Sequence, residues 1–283
     1  MPPIPVRNAL VVDADPALKD LLARVLDHRL WTTHYVASNK DAMAAILTKA
    51  FDLVLTGEKT SALQDVELLR VMRRLRPHIR LIILARESAP ADVLASMRAH
   101  AFSLFSYPYD ENHLADMIRL AVDSPAWDDG IEIISATPEW IRLRVRCEIR
   151  TADRLVQFLN EIAELPPAER EQVATAFREM LTNAIEHGGQ LDPSKHIEIE
   201  YIRAKHMVSC HIADPGLGFT LDEIPHAAIA NPDDQPTHHI ELREELGIRP
   251  GGYGILMAQK LVDELIYNQE GNEVLLVKYL RPA

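Results

Sequence analysis

The chain has 283 residues, 47% hydrophobic and 25% charged, enough for two separate cores and too apolar for wholesale disorder. Its 30 Lys and Arg against 42 Asp and Glu leave a formal net charge of -12, which argues against a non-specific binder of nucleic-acid backbone. Two cysteines are too few for a disulfide scaffold or a Cys-rich zinc site, and no run approaches the roughly 18 apolar residues of a membrane span.

The opening Met1-Pro-Pro-Ile-Pro-Val-Arg7 is not followed by the apolar core of a secretory signal, so the expected location is the cytoplasm. From residue 8 to 124, short apolar runs alternate with helical patterns. Ala9-Leu-Val-Val-Asp13 reads as a strand ending in an acid, and Asp15-Pro16 opens a helix with Leu18, Leu21, Leu22, Val25 and Leu26 on one face. Further strands are predicted at 32–36, 52–56, 81–85 and 102–106. The helices between and after them fall at about 42–50, where Ser38 is the expected cap, and at 66–75, 91–97 and 111–122. Five strand–helix units whose strands are continuous apolar runs imply a doubly wound parallel sheet. Its ligand side, at the carboxyl ends of the strands, would carry Asp13, Ala14, Asp15, Gly57, Ala85 and Tyr107.

The Leu-Val-Val-Asp-x-Asp-Pro opening and the order of elements resemble the response-regulator receiver domain, which has a CheY-like, flavodoxin-like fold. That resemblance implies two acids after the first strand, a phosphoacceptor Asp after the third, a Thr or Ser after the fourth and a Lys before Pro after the fifth. Here Asp13 matches the first acid, Ala14 replaces its neighbour, and Asp15 stands beyond it. Gly57 takes the acceptor position, Ala85 the Thr/Ser position, and Tyr107 the Lys position before Pro108. A glycine cannot form an acyl phosphate, and a tyrosine cannot offset the charge of a phosphoryl group. Glu58 is the nearest acid and is offset by one. The expectation is a pseudo-receiver that keeps the scaffold as a protein-binding surface and lacks the phosphorylation switch.

Residues 125–130 are polar and contain Pro and Gly, and read as a linker to a second domain at 131–281. Strands are predicted at 132–136 and 141–149, the latter with Arg142, Arg144 and Arg146 on its polar face. Thr151 is the expected cap of a helix carrying Leu155, Phe158, Leu159 and Ile162. A long helix from about 168 to 187 has Val173, Ala176, Phe177, Met180 and Ala184 as its core stripe, with Glu179, Asn183 and His187 in a polar row beside it. A hairpin of strands at 197–202 and 207–213 runs into Asp214-Pro-Gly216-Leu-Gly218. Residues 220–248 are polar, irregular and long enough to be a lid or binding loop. Pro250-Gly-Gly252-Tyr-Gly254 then feeds an apolar helix at 255–262, a Gly-rich turn suited to phosphate, and strands at 264–268 and 273–279 close the domain.

The helix Glu-x-x-x-Asn-Ala-x-x-His-Gly, the Asp-x-Gly-x-Gly turn and the Gly-x-Gly before a helix together resemble the ATP-binding domain shared by gyrase B, Hsp90, sensor histidine kinases and MutL. This implies an α+β two-layer sandwich. The compact length and the tail Leu-Val-Asp-Glu-x-x-Tyr look most like the anti-sigma-factor serine kinases. The resemblance implies ATP and Mg²⁺ as cofactors, a STAS-domain antagonist or a sigma factor as partner, and a possible homodimer. By the same resemblance Asn183 is the Mg²⁺ ligand, Glu179 the catalytic base, Asp214 the adenine reader flanked by Gly216 and Gly218, and Gly252 and Gly254 the phosphate-side glycines. His187 closes the helix motif, and Arg249 or Arg243 is the lid cation. Two other readings stay open: a non-catalytic ATP-binding anti-sigma or scaffold module, and a histidine-kinase-like protein acting on a separate phosphorelay partner, since no phosphorylatable histidine helix is present.

Overall fold

The computed structural model describes residues 6–13, 15–57, 60–123, 130–220, 227–231, 235, 237–245 and 252–280. Ala14, Glu58, Arg249 and the linker up to residue 129 therefore lie outside the described residues, as does the side chain of Arg243. The chain divides into two compact units, Met1–Asp129 and Gly130–Ala283. Among the described residues no helix is long and apolar enough to cross a membrane.

The first unit alternates β1 (Arg7–Val12), α1 (Pro16–Val25), β2 (Trp31–Val36), α2 (Asn39–Thr48), β3 (Leu53–Thr56), α3 (Ala62–Leu75), β4 (Arg80–Ala85), α4 (Pro90–Arg98), β5 (Ser103–Ser106) and α5 (Glu111–Asp123). All five strands are parallel, in the order β2-β1-β3-β4-β5. Leu10, Val54, Leu55, Ile82 and Ile83 are fully buried, as strands covered on both faces require. The α1 helix packs with α5, whereas α2, α3 and α4 pack in series. The strand order reverses between β1 and β3, and that switch point is where such sheets form a crevice.

Local chemistry sets the helix starts. Pro16 occupies the first turn of α1, and Ser38 Oγ accepts from Asp41 N at 3.2 Å to cap α2. The α3 helix begins four residues earlier than the apolar periodicity alone suggests, because Ser61 caps it by accepting from Gln64 N at 3.3 Å. Asp65 on α3 is fully buried and accepts from Asn39 Nδ2 and Thr60 Oγ1, each at 2.8 Å. Burial pushes its pKa up, against the lowering effect of these donors.

The second unit comprises β6 (Ile131–Thr137), β7 (Trp140–Arg146), α6 (Ile149–Ile162), α7 (Pro167–Asn183), a π-helical turn (Ala184–Gly188), β8 (His196–Arg203), β9 (Met207–Ala213), a 3-10 turn (Ala228–Ala230), α8 (His238–Glu245), α9 (Gly254–Leu261), β10 (Glu264–Tyr267) and β11 (Glu273–Tyr279). The sheet is antiparallel throughout, in the order β10-β11-β9-β8-β7-β6. Ile199, Tyr201, Cys210, Ile212 and Leu276 are buried, as are Leu155 and Phe158 of α6 and Val173, Phe177 and Met180 of α7. This is the α+β layering expected.

Three expectations change here. The strand predicted through Ile149 ends at Arg146, because its partner β8 begins at His196, opposite Arg146. Glu148 N turns back to Arg146 O at 2.8 Å, and α6 starts at Ile149. Thr151 is consequently not a cap: it is buried within α6, and Glu148 holds the cap position without a side-chain bond. The stretch predicted as irregular contains the 3-10 turn and α8. The arginine face of β7 lies opposite an acidic row on β8, with Arg142↔Glu200 and Arg144↔Glu198 in register and Arg142 bonded diagonally to Glu198 at 2.7 Å. It is a solvated, charge-balanced sheet face.

Candidate nucleotide site

The second unit brings together three segments distant in sequence. The α7 helix presents Glu179 and Asn183, both partly buried, next to its apolar stripe. After Asn183 the helix widens into one π turn, closed by Gly189 N donating to Ala184 O at 2.7 Å. Such turns interrupt long helices at functional sites more often than elsewhere. A Cβ on Gly189 would lie 2.3 Å from Cys147 Sγ, so this end of the helix sits tightly on the end of β7.

The first turn of α9 meets Glu179 and Asn183. A Cβ on Gly254 would lie 2.7 Å from Glu179 Oε2 and 3.7 Å from Asn183 Nδ2, so only a bare backbone fits this contact without displacement. Gly252, with φ +89°, makes the left-handed turn that aims the start of α9 there. The free amides of a helix start carry partial positive charge and suit an anion.

β9 delivers Asp214. Its Oδ1 accepts from Gly216 N at 2.8 Å, and a Cβ on Gly188 would lie 2.0 Å from that same oxygen. Backbone thus closes on the carboxylate from both the π turn and the glycine turn. Burial pushes the Asp214 pKa up, while the Gly216 amide opposes this. Around it, the Phe219 and Tyr267 rings meet edge-on at 5.2 Å, and Tyr267 Oη donates to Met180 Sδ at 3.2 Å.

A second turn backs the first. Asn272 O accepts from Asp214 N at 2.9 Å, and Asn272 Nδ2 donates to Gly216 O at 3.3 Å. Asn268 Oδ1 gathers the amides of Gly271, Asn272 and Glu273 at 2.8–3.1 Å. Gly218 (φ +76°) and Gly271 (φ +78°) face one another's loops. A Cβ on the first would lie 1.8 Å from Glu270 O, and one on the second 2.0 Å from Phe219 O.

The structure therefore assembles Glu179, Asn183 and Gly254 into one contact and Asp214 and Gly216 into another, whereas Gly218 packs on the turn at Glu270 and Asn272 instead. His187 is exposed in the π turn. Gly188, the last residue of the helix motif, belongs to the constellation, as do Asn268, Gly271 and Asn272, which the sequence motifs do not include. The paired asparagines and glycine between β10 and β11 were the available signal.

In the first unit, Asp13 and Gly57 meet at the β1/β3 switch point. Asp13 is 5% exposed, its Oδ1 accepts from Asp15 N at 3.1 Å, and a Cβ on Gly57 would lie 2.1 Å from Asp13 Oδ2. Ala85 is buried at the end of β4, where its carbonyl accepts from Tyr107 N at 2.9 Å. Asp15 is exposed, and the Tyr107 side chain is 60% exposed, edge-on to Tyr109.

Residues 9–119 match the family model of the response regulator receiver domain, and residues 143–278 match that of the histidine kinase-like ATPase domain. Serine-protein kinase RsbW of Oceanobacillus iheyensis is 31% identical over 111 residues, which cover 39% of this chain and 65% of that protein. Transcriptional regulatory protein ZraR of Salmonella typhimurium is 25% identical over 162 residues, or 57% of this chain, and the chain spans only 35% of its length. Among solved structures, a CheY-like receiver domain protein from Methanospirillum hungatei is 24% identical, with 42% of this chain and 94% of that one covered at a TM-score of 0.37.

Proposed function

We propose that this chain, a receiver domain joined to a histidine kinase-like ATPase domain, is a bacterial signalling regulator that binds Mg-ATP and phosphorylates a serine or threonine of a STAS-domain antagonist. The observation that carries the reading is the contact of Gly254 with Glu179 and Asn183, which sets a helix N-terminus beside an acid and an amide. The relative named as a serine-protein kinase supports the choice of hydroxyl acceptor.

The residues present fit the nucleotide. Asp214 Oδ1 is engaged by the Gly216 amide, which leaves Oδ2 to accept from the exocyclic amine of adenine. The glycine start of α9 offers amides to phosphate oxygens without a side chain in the way. Asn183 would hold Mg²⁺ through its amide oxygen, a hard donor suited to a cation that keeps phosphate and water ligands. Among the described residues no group of three or more His, Cys, Asp or Glu could cage a metal without phosphate. When bound, Mg-ATP supplies the phosphoryl group together with charge compensation on its oxygens. Glu179 would accept the proton of the attacking hydroxyl. The first unit would work as a protein-binding module, because Asp13 fills the space that a side chain at Gly57 would need.

Calorimetry of the intact protein with a non-hydrolysable ATP analogue tests the site: binding should require Mg²⁺ and fall at least tenfold in Asn183→Ala. Radiolabelled ATP with a STAS-domain partner tests the reaction. Acid-stable label on Ser or Thr, lost in Glu179→Ala while nucleotide binding persists, is the expected result. A tight complex with no label in either partner would refute the kinase and leave a binding module. Label on a partner histidine would favour a phosphorelay instead.

A further inference from the structure

The described parts of the segment between the Asp214 turn and α9 are fastened to the start of α9. Ala228 N donates to Gly252 O at 2.8 Å, which ties the 3-10 turn to the left-handed glycine. Asn231 Oδ1 accepts from His239 N at 2.9 Å and so holds the first turn of α8. With that oxygen committed, the Asn231 amide nitrogen is the group that faces His239 Nδ1, at 2.7 Å, and it donates there. Nδ1 is then the acceptor, and the ring carries its proton on Nε2. The His239 ring is fully buried and stands edge-on to the Tyr253 ring, with centroids 4.4 Å apart and planes at 90°. Tyr253 immediately precedes Gly254, the residue in contact with Glu179 and Asn183.

We propose that His239 is a positioning residue whose ring latches α8 to Tyr253, so that the 3-10 turn, α8 and the first turn of α9 move as one piece and together set how long a nucleotide stays bound. The proposal rests on the nucleotide-binding reading above and adds to it the side chains that control release. Two features make His239 suited to the role. Its Nδ1 is oriented by Asn231, which fixes the ring plane, and the ring then packs perpendicular to that of Tyr253. An aromatic contact of this kind shifts a local equilibrium by about two- to tenfold. The two ends of the latch act through one contact, so removing either should have the same effect as removing both.

The test is the dissociation rate of a fluorescent non-hydrolysable ATP analogue from the full chain, measured by stopped flow with Mg²⁺ present. His239→Ala and Tyr253→Leu should each speed dissociation about fivefold, and the double variant should be no faster than either. Tyr253→Phe keeps the ring and should stay within twofold of wild type. Nitrogen NMR of the histidine should show Nδ1 unprotonated at neutral pH, a signature that a merely space-filling ring would not need. Unchanged dissociation in both single variants would overturn the latch, as would a double variant equal to the product of the singles. If His239→Ala fails to fold, the Tyr253 pair and the NMR signature carry the test. If wild type binds no analogue, the nucleotide reading fails by itself. The latch is then judged by protease cleavage within residues 227–245, which should be faster in His239→Ala and Tyr253→Leu but not in Tyr253→Phe. Equal cleavage in all of them would overturn it.

Discussion

Giving Gly57 a side chain should strain the first unit through one neighbour. In Gly57→Ala the new methyl would lie 2.1 Å from Asp13 Oδ2, 2.3 Å from its Cβ and 2.6 Å from its Cγ. Carbon atoms need about 3.5 Å, so Asp13 must retreat by roughly 1 Å or more. It has little room, being 5% exposed and bonded to Asp15 N. Overpacking of this size costs about 1–3 kcal/mol. In a unit of this size about 2 kcal/mol lowers the melting temperature by roughly 6–12 °C. Scanning calorimetry of the full chain should show that loss, and Asp13→Ala should relieve it. The Asp13→Ala/Gly57→Ala double variant should then be more stable than the sum of the single losses by about 1–2 kcal/mol. A Gly57→Ala variant within about 0.5 kcal/mol of wild type, or strictly additive variants, would refute the account of Asp13 as the occupant of the acceptor space.

Other expectations are simpler to state. Wild type incubated with acetyl phosphate should gain no mass of a phosphoryl group, and a labile gain would show that another acid of the first unit accepts it. Gly188→Ala would set a methyl 2.0 Å from Asp214 Oδ1 and should weaken ATP-analogue binding by about tenfold or more, read by calorimetry. For Asp65, the folded pKa stands above the unfolded 3.8, so its favourable contribution is full below that value and is lost as pH rises through the folded pKa. Asp65→Asn should therefore be more stable than wild type at pH 7, with the advantage shrinking as pH falls toward 4 in denaturant titrations. Arg142→Ala, which removes an exposed pair with Glu198, should change stability by less than about 0.5 kcal/mol, so a large loss would show that the β7–β8 charge ladder matters to folding.

What could be read from sequence followed local rules, and what could not depended on neighbours across the sheet. The β1, β3 and β4 strands declared themselves as apolar runs because both faces are covered, and Ser38 declared the start of α2 through its own side chain. Glu179 and Asn183 of the polar row were visible from spacing because they share α7, whereas His187 falls in the π turn. The alternation of β7 continued on paper through Cys147 and Ile149, yet the strand stops where β8 stops, and periodicity in one strand does not report the length of its partner. The same holds for Asp13 on Gly57 and for Gly188 on Asp214. Each contact joins residues from different elements, and only the packed register sets their distance.

The back-to-back glycines at 218 and 271 impose a joint constraint on variation. Each turn presses its backbone into the space that a side chain on the other would occupy, and each glycine also holds a positive φ. Neither loop can lengthen, slide or acquire a side chain without moving the other, and the Asn272 carbonyl transmits any such shift to Asp214. In a saturation library the two positions should return glycine alone, and an insertion between β10 and β11 should abolish nucleotide binding although it lies outside every motif proposed to meet the base or phosphates. The β10–β11 hairpin is in this sense part of the mould in which the acid of β9 is cast.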